Sequence, residues 1–559
     1  MHKQLASLIA SICVVLGIRG SSVAADRPRL VILISVDQMR SDYLTRYGDL
    51  FLPASIPDAD GRRQVGGFRY LEASGAWHVD AQHSHFPLFT GPGHAVELTG
   101  ACPYKSGIVG NYWYDRRSAT NRYCVEDPEG KIVGNDIKTK LPDVSPRSLL
   151  VTTVGDELKM ATGGRARVWA IGLKDRAAIL LGGHLADGAL WFDEETGNWV
   201  TSSYYATNGI LRPWLRELNA SRLVNQFTNA VWNFEKTKAL DRVWTWTEAS
   251  SHSTTGTNYQ AFTVSPMGND FVFELAKRVI EKESLGQIQT EGRQAPHASD
   301  LLAINLSSND YVGHYYGPDS AEMLDVTLKT DTQLSAFFNW LDQRKLLAQS
   351  LIVLTSDHGV SPLPAQMRSD AHFSGAIGYE AEVQSSVQRF LADRYGVRGT
   401  NSPVKVVEFN VYIDPSDLAW TNAAPSDIHD EVARFLTDTH TNGVYVAYTK
   451  EQILKGQLPR TDVAMRVMNG YYPGLSGDIV LVPQPYWIQL NATSKYKSSH
   501  GSPYAYDTSV PLLLSGPGIT PGIFTEPAST LDIAPTISFL LGVIKPSGAE
   551  GKLLMSVRR

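Results

Sequence analysis

Three short runs of apolar residues stand out along the chain, each ending in a polar cluster: Leu30 to Val36 before Asp37, Leu301 to Leu306 before Ser307, and Leu351 to Thr355 before Ser356. Runs of this length without apolar/polar alternation predict strands buried on both faces of a parallel sheet. In open parallel sheets ligands bind beyond the carboxyl ends of the strands, which places Asp37, Asp310 and Asp357 along one edge. Between the runs, Ser320 to Leu346 carries Met323, Leu324, Leu328, Leu334, Phe337, Phe338 and Leu341 at mostly helical spacing. That spacing predicts an amphipathic helix lying on the sheet. The fold class is therefore α/β, with a central, mostly parallel sheet flanked by helices. Two long stretches, about 185–295 and 365–490, follow the alternation less well and are rich in aromatic, Thr, Ser and Asn residues. They read as insertions or a cap on one catalytic domain spanning 26–559.

The first residues have a different character. His2 and Lys3 precede an apolar stretch from Leu5 to Ile18, and small residues follow at Ser22, Val23, Ala24 and Ala25. This predicts a cleaved signal peptide over residues 1–25 and a periplasmic or secreted protein. No later segment offers the roughly 18 uninterrupted apolar residues that a membrane span requires. In an exported chain, Cys102 and Cys124 are expected to form one disulfide, the alternative being two buried thiols. The net charge of −6 becomes −8 once Lys3 and Arg19 leave with the signal peptide, and basic residues form no long runs. No dedicated nucleic-acid partner is expected on that ground. With 43% hydrophobic residues and 12 tryptophans the chain can bury a large core, and a monomer is expected.

Chemistry concentrates in two places. Asp37, the set Asp310-x-x-x-His314, the pair Asp357-His358 and the late His500 supply six oxygen and nitrogen ligands. Such ligands suit zinc, and six of them can form two sites of three, leaving coordination positions open for substrate. The spacing of Asp310 and His314 puts both on one face if that segment is helical. The second place is Phe89-Thr90-Gly91-Pro92-Gly93-His94, where small residues bare a hydroxyl at the start of a predicted helix. A helix N-terminus favours anionic phosphate, and a divalent metal lowers the pKa of a coordinated hydroxyl, making Thr90 a candidate nucleophile.

Together, Val36-Asp37-Gln38-Met39-Arg40, Thr90 to His94, Asp310 to His314, Asp357-His358-Gly359, His500-Gly501 and Asp532-Ile533-Ala534-Pro535-Thr536 resemble the alkaline phosphatase superfamily, in the expected order. Lys174-Asp175-Arg176 and Asn111 are similar to the phosphate-binding trio of its phosphate-irrepressible, PafA-type or PhoK-type bacterial branch. The resemblance implies a phosphomonoesterase acting through a phosphothreonine at Thr90, with small phosphate monoesters as substrates. It also implies one zinc held by Asp310, His314 and His500, and a second by Asp37, Asp357, His358 and the Thr90 oxygen. Asn111, Lys174 and Arg176 would hold the unesterified oxygens, because a monoester dianion rewards two nearby cations more than a diester does. No magnesium site is expected, since no third set of acids is evident; a structural calcium is compatible with this branch.

Two rivals follow from the same residues. A nucleotide pyrophosphatase/phosphodiesterase shares the threonine, the asparagine and the six ligands but lacks the Lys-x-Arg pair. A non-catalytic exported metal-binding protein would keep the fold without turnover.

Overall fold

The computed structural model describes residues 27–557, apart from 58–62, 207, 228–231, 233–258, 288–297, 371–374, 397–402, 415–420, 441–442 and 491–493. The expected signal peptide, residues 1–25, lies outside the described residues. Strand β1 (Leu30–Val36) is buried along its whole length. Its alternate residues feed two different cores: Leu30, Ile32, Ile34 and Val36 enter one, and Val31 and Leu33 the other. Double-sided burial is why its sequence does not alternate.

In chain order the same sheet takes in β2 (Ala76–His78), β3 (Ile132–Val133), β4 (Val168–Ile171), β5 (Gly188–Asp193), β6 (Asn198–Ser202), β7 (Asp300–Leu306) and β8 (Ser350–Thr355). Its centre, β8-β1-β7-β4-β5, is parallel throughout. Register is in step: Val36 pairs with Leu306 and Ser35 with Thr355, so the three predicted strands end at one level. A second sheet is built from β9 (Val404–Val407), β10 (Asn410–Ile413), β11 (Val444–Thr449) and β12 (Ile479–Pro483), in the order β9-β10-β12-β11. The chain then returns through β13 (Leu513–Ser515) and β14 (Gly522–Phe524). The first sheet thus has ten strands, ordered β14-β2-β13-β8-β1-β7-β4-β5-β6-β3.

Helices cover both faces. In chain order these include α1 (Thr90–Thr99), α2 (Asp175–Gly182), α3 (Pro266–Lys282), α4 (Ser308–Tyr316), α5 (Ala321–Gln343), α6 (Glu380–Tyr395), α7 (Pro425–Thr439) and α8 (Ile533–Leu541). Helix α5 is the one expected over 320–346. It begins where the Ser320 hydroxyl accepts from Met323 N–H, and buries Leu334, Phe337, Phe338 and Leu341 against the β1 core. On the opposite face α8 packs Ile533, Ala534, Ile537 and Leu541 against Val31 and Leu33. Within 185–295, β5 and β6 belong to the central sheet and α3 packs beside it. Within 365–490, the second sheet, α6 and α7 share a core of their own, including Val387, Val411, Leu436 and Leu481. Among the described residues no helix is long and apolar enough to cross a membrane.

The expected disulfide is not formed: Cys102 and Cys124 are free, buried thiols. Cys124 Sγ lies beside Gly91 at the start of α1, whereas Cys102 follows the end of that helix and packs with Val96 and Leu531. Ten helical residues, roughly 15 Å of rise, separate the two positions. A disulfide requires α-carbons within about 7 Å. Burial pushes both thiols well above their ordinary pKa. The intact protein should leave both thiols unreactive toward an alkylating reagent at pH 8. Unfolding without a reductant should expose two reactive thiols, counted by mass, and a count of zero would contradict this arrangement.

Candidate metal centre and nucleophile

The level ending of β1, β7 and β8 decides where the acids fall. Asp37 follows β1, its N–H donating to Leu306 O at the end of β7. Asp357 and His358 follow β8, and α4, which starts just after β7, carries Asp310 and His314 one turn apart. His500 arrives from a loop. All six side chains are buried. His314 Nε2 lies 3.2 Å and His500 Nε2 3.8 Å from Asp310 Oδ1. His358 Nε2 lies 3.1 Å from Asp357 Oδ2 and 3.8 Å from Asp37 Oδ1. Two groups have ligand atoms all within 4.8 Å of one another: Asp37, Asp357 and His358, and Asp310, His358 and His500. His358 belongs to both, its ring stacked 3.5 Å from that of His500. The structure therefore brings the six Asp and His candidates together, although His314, beside Asp310, and Thr90, also expected as a ligand, fall in neither group.

Whether these residues suit divalent cations is tested by the atoms they leave over. His314 Nδ1 meets Ser498 O at 2.9 Å, His358 Nδ1 meets Gly359 O at 3.0 Å, and His500 Nδ1 meets Leu88 O at 2.8 Å. A carbonyl only accepts, so each Nδ1 carries a hydrogen and each Nε2 faces the shared space, where it can offer a lone pair once it holds no proton. Asp37 Oδ1, Asp357 Oδ2 and His358 Nε2 are buried atoms without a hydrogen-bond partner among the described residues. Other buried polar atoms also lack partners, but these three converge on one point and each belongs to a ligand candidate. The set fits two cations.

The electrostatics agree. Burial, reinforced by Asp357, pushes the Asp37 carboxyl well above the usual carboxylate range. Burial alone would push His358 down, but Asp357 and Asp37 beside it hold it up at about 9. Against burial, His314 and Lys174 hold Asp310 low, and His358 and His94 hold Asp357 low. Lys174 Nζ spans the cluster, 2.8 Å from Asp37 Oδ2 and 2.6 Å from Asp310 Oδ2.

Thr90 is the first residue of α1 and is buried, linked to the cluster through His94. Arg176, in the first turn of α2, places Nη2 3.3 Å from Thr90 Oγ1. Asn111 Oδ1 accepts from Gly91 N–H at 2.8 Å, tying the asparagine to the same helix start. Thus Asn111, Arg176 and Thr90 form one constellation, while Lys174 reaches the carboxylates. Close approach of α1 to the end of β8 depends on Gly93, where a Cβ would lie 2.2 Å from Asp357 O.

Several residues that sequence reasoning did not single out complete the site. Gln38, at φ 65°, donates through Nε2 to Asp310 Oδ1 at 2.5 Å and through its N–H to Asp357 Oδ1 at 3.1 Å. His94 Nδ1 lies 2.9 Å from Thr90 O and 3.2 Å from Asp357 Oδ2, and its Nε2 lies 2.8 Å from Asn305 Nδ2. Tyr496 stacks on His314 at 4.3 Å. Gln38 and His94 sit inside the motifs already noted, which was the available signal; Asn305 and Tyr496 carry none.

The pattern of the type I phosphodiesterase / nucleotide pyrophosphatase family matches residues 31–503. The chain belongs to this family. Within the wider alkaline phosphatase superfamily it is similar to alkaline phosphatase PhoV of Synechococcus elongatus, at 33% identity over 94% of this chain and 92% of the relative. It is likewise similar to alkaline phosphatase PafA of Elizabethkingia meningoseptica, at 32% identity over 98% of each. The crystal structure of wild-type alkaline phosphatase PafA superposes with a TM-score of 0.82 at 30% identity, covering 95% of this chain and 99% of that one. The alkaline-phosphatase-like α/β fold of this family member is thereby shown.

Metal binding must displace protons that the metal-free cluster holds on Asp37 and His358, so affinity should rise with pH until about 9, where His358 loses its own proton. Calorimetric zinc titrations at pH 6 to 9, in buffers of different ionisation enthalpy, should show proton release that shrinks as pH rises. Pressing a methyl into the α1–β8 contact, Gly93→Ala should cost about 2 kcal/mol and lower turnover, read by thermal unfolding and initial rates.

Proposed function

We propose that this protein is an alkaline phosphatase that hydrolyses phosphate monoesters with two zinc ions, through a covalent phosphothreonine at Thr90. The observation that carries the reading is Arg176 Nη2 at 3.3 Å from Thr90 Oγ1, on a helix linked through His94 to two groups of buried Asp and His ligands. The 33% and 32% identity to proteins named alkaline phosphatases supports it. Asp310, His314 and His500 would hold one cation, and Asp37, Asp357 and His358, with Thr90 Oγ1, the other. When bound, the two ions supply Lewis acidity that favours the ionised threonine hydroxyl and offsets charge on the leaving oxygen.

The chain's own groups then act on position and charge. Thr90 Oγ1 attacks phosphorus, the bond to the leaving oxygen breaks with its electron pair, and the leaving oxygen takes up a proton. Water hydrolyses the resulting phosphothreonine and restores the hydroxyl. Arg176, at the nucleophile, is placed to pair with unesterified oxygens. Lys174 is freed for the same role once cations take over the neutralisation of Asp37 and Asp310. Asn111 and the N-terminus of α1 add neutral donors. Export through cleavage of residues 1–25, and a cap formed by 365–490, belong to this reading.

The family's own description includes phosphodiesterases, and a direct comparison separates the two chemistries. For the zinc-loaded protein, kcat/KM for an aryl phosphate monoester should exceed that for the matching diester by a wide margin; a ratio below one would assign the site to diesters. Thr90→Ala should lower monoester turnover by roughly three orders of magnitude while metal content stays near wild type, since the covalent step is lost. Wild-type turnover in that variant would rule out the threonine.

A further inference from the structure

We propose that Glu408, on the tip of the hairpin joining β9 to β10, is a positioning residue that fixes Asn111 for phosphate binding. The proposal rests on the phosphate-binding role given to Asn111 above. Pairing of Val407 with Asn410 leaves a two-residue turn, Glu408-Phe409, with φ of 45° and 66°. Two consecutive left-handed residues suit Asn-Gly, yet this turn carries a charged and a bulky residue. Strain of that kind persists where the surroundings hold it and is concentrated at functional sites.

Both side chains reach the site. Phe409 is 2% exposed, with Phe86 5.4 Å and Phe89 5.9 Å away, the latter immediately before Thr90. Glu408 Oε2 accepts from Asn111 N–H at 2.7 Å, and the Tyr112 N–H also reaches the carboxylate. The fit is close from the other side as well: a Cβ on Gly110 would lie 2.4 Å from Oε2. The turn itself is clamped, its Glu408 N–H donating to Glu380 Oε1 at 2.7 Å and its Glu408 O accepting from Asn410 Nδ2 at 3.0 Å.

A continuous path therefore runs from Glu380 on α6 through Glu408 to Asn111, and from Asn111 Oδ1 to Gly91 N–H beside the nucleophile. Asn111 is held at its backbone by the second sheet and at its side chain by α1. Its Nδ2 hydrogens then have no partner among the described residues and remain for a phosphate oxygen. Burial pushes the Glu408 carboxyl up to about 8, opposed by the N–H groups of Tyr112 and Asn111 and by Arg176.

Two variants of the full, zinc-loaded chain separate contact from turn geometry. Glu408→Gly removes the carboxylate and suits the left-handed turn, so folding is preserved; Glu408→Gln keeps an acceptor oxygen. We expect Glu408→Gly to weaken inhibition by inorganic phosphate and lower kcat/KM for an aryl phosphate about tenfold, with unchanged zinc content and melting temperature. Glu408→Gln should stay within about twofold of wild type. In an Asn111→Ala background Glu408→Gly should add less than about twofold, because both act through one contact. Unchanged phosphate inhibition in Glu408→Gly, or an equal loss in both backgrounds, would overturn the positioning role alone. Wild-type phosphate affinity in Asn111→Ala would overturn both that role and the reading of Asn111 on which it rests.

Discussion

The constraint on which the molecule turns is the burial of three carboxylates, Asp37, Asp310 and Asp357, at one point. Uncompensated, three such charges in a water-poor interior cost far more than a fold of this size can supply. Compensation is visible from every side: Lys174 bridges two of the acids, histidines stand against them, and Arg176 reaches Thr90. The atoms left without partners are those a divalent cation would take. The parallel strands exist, in functional terms, to end together, since a register shift of one residue would carry Asp37 away from the ends of its neighbours.

Scaffold and second sheet divide the labour. The strands, α1 and α4 set the cluster of ligands and the nucleophile, and the large cores on either side of β1 hold them rigid. The second sheet has its own core and meets the site mainly through a single hairpin tip. The Asp and His cluster lies in the first part, and the Glu408–Asn111 contact joins the two.

How much of this could be read in advance depended on the kind of signal each residue carries. Double-sided burial leaves unbroken apolar runs, so β1, β7 and β8 were legible almost to the residue, and α5 followed from its periodicity. The candidate ligands stood out because Asp and His at strand ends gather into a recognisable set. Cys102 and Cys124 misled because sequence separation says nothing of a helix standing between them. β5 and β6 were hidden inside an aromatic-rich stretch that masks a strand pattern. Glu408 was invisible for a sharper reason: left-handed turns are read from Gly and Asn, and this one has neither.

The histidines have one further property. Their Nδ1 atoms are anchored to the main-chain carbonyls of Ser498, Gly359 and Leu88 rather than to side chains. A side-chain anchor vanishes with one substitution, whereas every amino acid keeps its carbonyl. The orientation of the three imidazoles is therefore inherited from the path of the backbone, and sequence drift at positions 88, 359 and 498 leaves it standing as long as that path is kept. A candidate metal centre built this way tolerates divergence of the side chains around it.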